Sequence, residues 1–147
     1  RVPAGKGTWP AFWMMPVAGG SWPATGEIDI MEHVGYNPNV VHSTIHCTKY
    51  NNGGTAVESA SRNIGTATSA FHVYAMEWTP AYMKFYVDDQ LLLTYNNEGT
   101  ISAWPFDKEF YVILNLAWGG DWGGQQVTDD TALPAAMEVD YVRVYQK

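Results

Sequence analysis

The sequence predicts an all-β fold, a β-sandwich of the jelly-roll kind, in a single domain over residues 1–147. Three observations carry that expectation. Apolar and polar residues alternate with the period of a strand in short runs along nearly the whole chain. Clusters of Gly, Pro, Asn and Asp separate the runs, and no amphipathic helix of ordinary length stands among them. A chain of 147 residues buries a substantial core and calls for no second domain.

In chain order the expected strands are TWPAFWMM (8–15), GEIDIME (26–32), VVHSTIHCT (40–48), AFHVYAMEW (70–78), YMKFYV (82–87), QLLLTY (90–95), EFYVILNLAW (109–118) and AMEVDYVRVY (136–145). Asp88-Asp89 reads as a short hairpin connection, while NNGGT (51–55) and GGDWGG (119–124) read as Gly-rich loops. There is no internal repeat, low-complexity tract or linker.

Composition narrows the function. Lys plus Arg number 8 against 15 Asp plus Glu, a net charge of −7, which argues against a nucleic-acid phosphate backbone as partner. No apolar run approaches a membrane span in length. The single Cys47 excludes an internal disulfide. The chain opens at Arg1-Val2-Pro3 with neither an initiator Met nor a leader, so its first residue is not taken as a natural terminus. Seven Trp and nine Tyr are many for this length, and Trp9, Trp13, Trp22, Trp118 and Trp122 fall in two stretches. Aromatics so dense need a core or a flat ligand.

The stretch GEIDIMEHVG (26–35) poses a problem of faces. On a strand, Glu27 and Asp29 share one side while Ile28 and Ile30 share the other. Strict alternation would then throw Glu32 onto the isoleucine face, where a lone carboxylate is costly. One extra residue, a β-bulge near Ile30 or Met31, returns Glu32 to the side of Glu27 and Asp29. Glycoside hydrolysis gives a reason to gather acids this way, since one carboxyl protonates the leaving oxygen and another attacks the sugar carbon. With one bulge residue between them, Glu27 and Glu32 lie four ladder steps apart, about 13 Å at Cα, and long side chains lean together across most of that gap. Asp29 between them raises the proton affinity of its neighbours and so separates their roles. The competing reading is a solvated acidic face, which the flanking isoleucines and tryptophans disfavour.

GTWPAFWMMP, WPATGEIDIMEHVG, VHSTIHC, YAMEWTP, ILNLAWGG and MEVDYVRVY resemble, in order and spacing, the laminarinase-like branch of glycoside hydrolase family 16 over nearly the whole chain. The bulged E-x-D-x-x-E is the form typical of endo-β-1,3-glucanases, whereas mixed-linkage lichenases more often show E-x-D-x-E. The resemblance implies a concanavalin A-like jelly roll with a concave cleft. It also implies a secreted, endo-acting, retaining hydrolase of laminarin-type β-glucan that needs no cofactor for catalysis. Glu27 would be the nucleophile, Glu32 the general acid/base and Asp29 the residue tuning that pair.

Trp9 and Trp13, four apart on a strand, share a face, and flat rings suit the apolar faces of pyranoses; burial in the core is the alternative for one of them. By resemblance Trp9, Trp13 and Trp22 line the cleft, and Trp118, Trp122 and Asn115 belong to its other side. His42 and His46 would hold zinc if the segment were helical, but on a β-branched strand their backbones stand about 13 Å apart, so zinc is not expected. His46 is expected by resemblance beside Glu32, and His42 as a strand histidine with a satisfied ring. His33 and His72 carry no special expectation. Asp140 matches a position at which relatives hold a structural calcium, which needs six or more oxygen ligands.

Relatives carry several further strands before RVPAGKGTWP, so the sandwich is expected to be incomplete at its N-terminal side, with a second chain as one way to complete it. Competing functions are a mixed-linkage β-glucanase, an agarase- or carrageenase-type hydrolase on the same fold, and a non-catalytic β-glucan-binding domain. A binding module has no need of both Glu27 and Glu32.

Overall fold

The computed structural model describes residues 1–51 and 56–146. Eight strands are present among them: β1 (Thr8–Pro16), β2 (Glu27–His33), β3 (Val40–His46), β4 (Glu58–Asn63), β5 (Tyr74–Trp78), β6 (Tyr82–Val87), β7 (Gln90–Asn96) and β8 (Phe110–Trp118). They form two antiparallel sheets, a five-stranded one in the order β4-β3-β2-β1-β8 and a three-stranded one in the order β5-β6-β7. The all-β sandwich is therefore as expected.

The core lies between the sheets. Ile28 of β2 and Ile45 of β3 meet Met83 and Phe85 of β6, all of them fully buried, with Trp104 and Phe106 closing one end. Each such side chain contributes about 1.5–3 kcal/mol by leaving water. A second cluster, Val2, Met31, Val41, Ala67 and Val87, fills the other end. Entry into β2 depends on Gly26, whose φ of 84° suits glycine, and where a Cβ would stand 2.7 Å from the Phe106 ring. Between β6 and β7, Asp88 and Asp89 take φ of 48° and 62°, the paired positive values of a tight hairpin turn.

The bulge in β2 is real. Asp29 and Glu32, three residues apart, face Thr44 and His42, two apart on β3. On the other side Phe12 faces Met31 while Trp13 faces Asp29, so Ile30 is the extra residue. The bulge turns both Ile30 and Met31 into the core, one in each cluster.

Several expectations are corrected. Residues 136–145 form no strand, although their apolar alternation suggests one. A strand needs a ladder neighbour, and this segment's backbone instead bonds at Glu138 to Arg1, reinforced by the Arg1 guanidinium on the Glu138 carboxylate at 2.6 Å. Val139, Tyr141, Val142, Val144 and Tyr145 are left exposed. The strand expected at 70–78 starts only at Tyr74, because His72 and the Val73 amide are engaged by the Asp88 carboxylate, at 2.6 and 2.9 Å. Strand β4, ESASRN, has no counterpart among the expected strands: it is polar, lies at a sheet edge, and is held by its ladder to β3 and by Arg62 reaching Gln90 and the Leu91 carbonyl. Of the NNGGT loop, residues 52–55 lie outside the described residues. GGDWGG contains a single short helical turn, α1 (Gly120–Gly123).

Candidate active site

The site lies on the face of the five-stranded sheet turned away from the core. Because of the bulge, Glu27, Asp29 and Glu32 all reach it, and with Trp9, Ala11, Trp13, Asn115 and Ala117 they line one open pocket. Three adjacent strands supply these groups at alternate positions: β2 the acids, β1 the two tryptophans and Ala11 between them, β8 Asn115 and Ala117. Ala11 and Ala117, which sequence reasoning does not single out, leave the space that larger side chains would fill; their period-two spacing from Trp13 and Asn115 is the signal that places them.

The carboxyls differ sharply in surroundings. Asp29 is 2% exposed, and burial, then the Glu27 charge, then a hydrogen bond with Glu27 hold its proton affinity well above the ordinary carboxylate range. A protonated Asp29 is then a donor to the Glu27 carboxylate. Glu27 also accepts the Trp22 indole N–H on Oε2 at 2.5 Å. Glu32 is pushed up to about 8, first by burial and next by the Asp29 charge, while the Trp9 N–H, donated to its Oε1 at 3.0 Å, works the other way. The arrangement sets two glutamates apart: Glu27 is met by hydrogen-bond donors, and Glu32 is a carboxylic acid that keeps its proton near neutral pH.

The remaining expected residues fall unevenly around this centre. Trp13 donates its N–H to Asn115 Oδ1 at 2.8 Å, tying β1 to β8 across the pocket floor. Trp22 is half exposed and leans on His46, ring centroids 5.7 Å apart. Trp118 and Trp122 do not line the pocket; Trp118 lies over Gly7, and Trp122 packs edge-on against Trp9. His46 stands opposite Glu27 in the β2–β3 register, its Nε2 3.2 Å from Asp29 Oδ2, and is also among the groups near enough to act electrostatically on Glu32. The residue opposite Glu32 is His42, because the register runs antiparallel from the bulge. The expectation of a satisfied ring is not met there, since His42 Nε2 is buried without a hydrogen bond among the described residues.

Glu27, Asp29 and His46 each offer one ligand atom, all within 4.8 Å of one another. Asp29 and Glu27 already share a hydrogen bond. Asp140 is exposed in a segment without strand structure and, among the described residues, belongs to no group of three ligating side chains.

Comparison with known proteins is consistent with this geometry. A beta-glucanase of Rhodothermus marinus is 49% identical over 99% of this chain and 54% of its own length. A keratan-sulfate endo-1,4-beta-galactosidase of Sphingobacterium multivorum is 47% identical over 97% of this chain and 34% of its own. Among solved structures, SCLam, a non-specific endo-beta-1,3(4)-glucanase from family GH16 crystallised with a glucan oligosaccharide, superposes with a TM-score of 0.94 at 45% identity, covering 98% of this chain and 57% of that one. The chain thus spans about half the length, or less, of the relatives it matches. The family model for glycosyl hydrolases family 16 matches residues 1–143, and the chain belongs to that family.

Proposed function

We propose that this chain carries the catalytic centre of a retaining, endo-acting β-glucanase that cleaves laminarin-type β-1,3-glucan by double displacement. The observation that carries the reading is the division of labour between Glu27 and Glu32 on the two sides of Asp29. Glu27, an anion supplied with hydrogen-bond donors, attacks the anomeric carbon. Glu32 gives its proton to the departing glycosidic oxygen, so that a glycosyl ester on Glu27 and a free sugar hydroxyl form. Glu32, now a carboxylate, takes a proton from water, which attacks the anomeric carbon of the ester and releases Glu27 as a carboxylate. Inversion at each step leaves the configuration retained. Trp9 and Trp13 offer ring surface for pyranose faces, and the open pocket on a sheet face suits an internal stretch of polymer. No step requires a metal, and the domain would act outside the cell, where such polymers are met.

Mixed-linkage cleavage is the second reading, favoured by the non-specific 1,3(4) activity named for SCLam. The test is reducing-sugar release from laminarin, lichenan and agarose, with the anomer formed first identified by proton NMR. A β-anomer from laminarin supports the proposal. An α-anomer, or binding of laminarin without cleavage by a folded chain, overturns it.

A further inference from the structure

We propose that the turn carrying Trp122 is a positioning device for Glu32: Trp122, braced by His42, holds Trp9 so that its indole N–H stays on the Glu32 carboxyl. The inference rests on the reading of Glu32 as acid/base and adds to it residues that do not touch the pocket.

The contacts form a closed circuit. Trp9 donates to Glu32 Oε1 at 3.0 Å. Trp122 meets the Trp9 ring edge to face, with centroids 5.8 Å apart and planes at 79°. His42 meets Trp122 the same way at 4.8 Å and 76°, and it stands opposite Glu32 in the sheet. Starting from Glu32 the path therefore runs through Trp9, Trp122 and His42 and back to the strand beside Glu32. Edge-to-face pairs have a preferred geometry, so each ring limits the tilt of the next.

The backbone of the turn is pressed onto Trp9 as well. A Cβ on Gly123 would stand 3.0 Å from Trp9 Cβ and 3.2 Å from the Gly7 carbonyl oxygen, and one on Gly120 would stand 3.4 Å from Trp9 Cζ3. The turn is moored to the chain that precedes Trp9, because the Gly119 amide donates to the Gly7 carbonyl at 2.7 Å. This accounts for Gly120 and Gly123, where a looser loop would accept side chains. Burial also keeps the His42 ring toward its neutral form, so that it packs on Trp122 as an apolar edge. Trp122 and His42 are thus positioning residues, acting on Glu32 through Trp9.

The indole N–H favours the ionised carboxyl, so loosening Trp9 raises the proton affinity of Glu32. Unscreening Glu32 to water would lower it, and the two causes have opposite signs. The experiment follows the carbon-13 resonance of the Glu32 carboxyl through a pH titration of the 147-residue chain, with Glu32→Gln supplying the assignment. Trp9→Phe should raise the proton affinity roughly three- to tenfold. Trp122→Ala should raise it in the same direction, and the double variant should match Trp9→Phe alone, because Trp122 has nothing further to act through. Trp122→Phe, which keeps a smaller ring, serves for the same reading if Trp122→Ala fails to fold. A Trp122 variant that leaves the titration in place or moves it down, or an additive double variant, overturns the proposal; so does a Trp9→Phe titration that does not move. Should Glu32→Gln retain glucan turnover, the acid/base reading fails instead, whatever the titrations show.

Discussion

Trp22 donates its indole N–H to Oε2 of Glu27 at 2.5 Å, from a ring that is 49% exposed. One half-exposed residue therefore offers two things, a donor to the proposed nucleophile and an open ring surface on which a sugar could stack. The two separate by substitution. Trp22→Phe keeps a ring and removes the donor, and kcat on laminarin should fall about tenfold with KM changed by less than about twofold. Trp22→Ala should raise KM as well. Steady-state kinetics on a soluble glucan distinguishes the pair.

Glu27→Gln and Glu32→Gln should each lower turnover by about a thousandfold or more while leaving the circular dichroism spectrum unchanged. Azide should rescue a Glu27→Ala variant as a glycosyl azide of inverted configuration and a Glu32→Ala variant with retention. Asp29→Asn should differ from both. Because burial and Glu27 raise the proton affinity of Asp29, an amide there mimics the protonated carboxyl and keeps a donor toward Glu27, and activity should fall only about ten- to hundredfold.

Activity should decline as pH rises through about 8, since Glu32 must carry its proton to act. The same group bears on stability. Its folded-state affinity lies above the unfolded value of 4.5, so its contribution is complete below pH 4.5 and is lost as pH rises through about 8. Asp29 acts in the same direction. Glu32→Gln should therefore melt above the parent chain at pH 8 and close to it at pH 4.5, by differential scanning calorimetry.

His33 acts from the acid side. It is fully buried with both ring nitrogens unpartnered among the described residues, and burial, then the charge of His42, lowers it from 6.5 to about 4. The unfolded chain takes the proton first as pH falls, so stability present above pH 6.5 is lost by about 3 kcal/mol on going down to about 4. His33→Phe should flatten that acid limb. An equally steep loss in the variant would assign it to other groups.

Strand β8 closes one end of the five-stranded sheet with Tyr111, Val112 and Leu114 exposed, and residues 139–145 add further apolar surface. Residues 1–147 expressed alone should self-associate, with sedimentation velocity showing species larger than a monomer at micromolar concentration. A cooperative, monomeric unfolding transition would contradict this.

The acids are legible in the sequence because a misplaced Glu32 on an isoleucine face is costly, and that cost alone calls for a bulge in the strand. Alternation is a poorer guide at residues 136–145, since it reports a face that wants covering and not the neighbour that makes a strand. It fails in the opposite sense at β4, whose pairing is by backbone alone. Cross-strand register is beyond its reach: with Glu27 opposite His46, an unbulged β2 would set Glu32 opposite Val41, and the extra residue moves it to His42. The packing of Trp122 on Trp9 depends on the path of a glycine turn, for which no periodicity speaks.

The extra residue in β2 has a mechanical consequence. Ile30 and Met31 are neighbours in the chain, yet they anchor different clusters, with Phe12 and Tyr74 bordering both. Substitutions such as Ile45→Val in one cluster and Val41→Ala in the other should then add almost independently, within about 0.5 kcal/mol. Changes at Phe12 or Tyr74 should couple to either side. Removing Met31 would merge the two compartments and leave E-I-D-I-E, in which the acids share a face by simple alternation. One codon thus separates two ways of presenting the same three carboxyls, and the difference between them is carried by the core and not by the cleft.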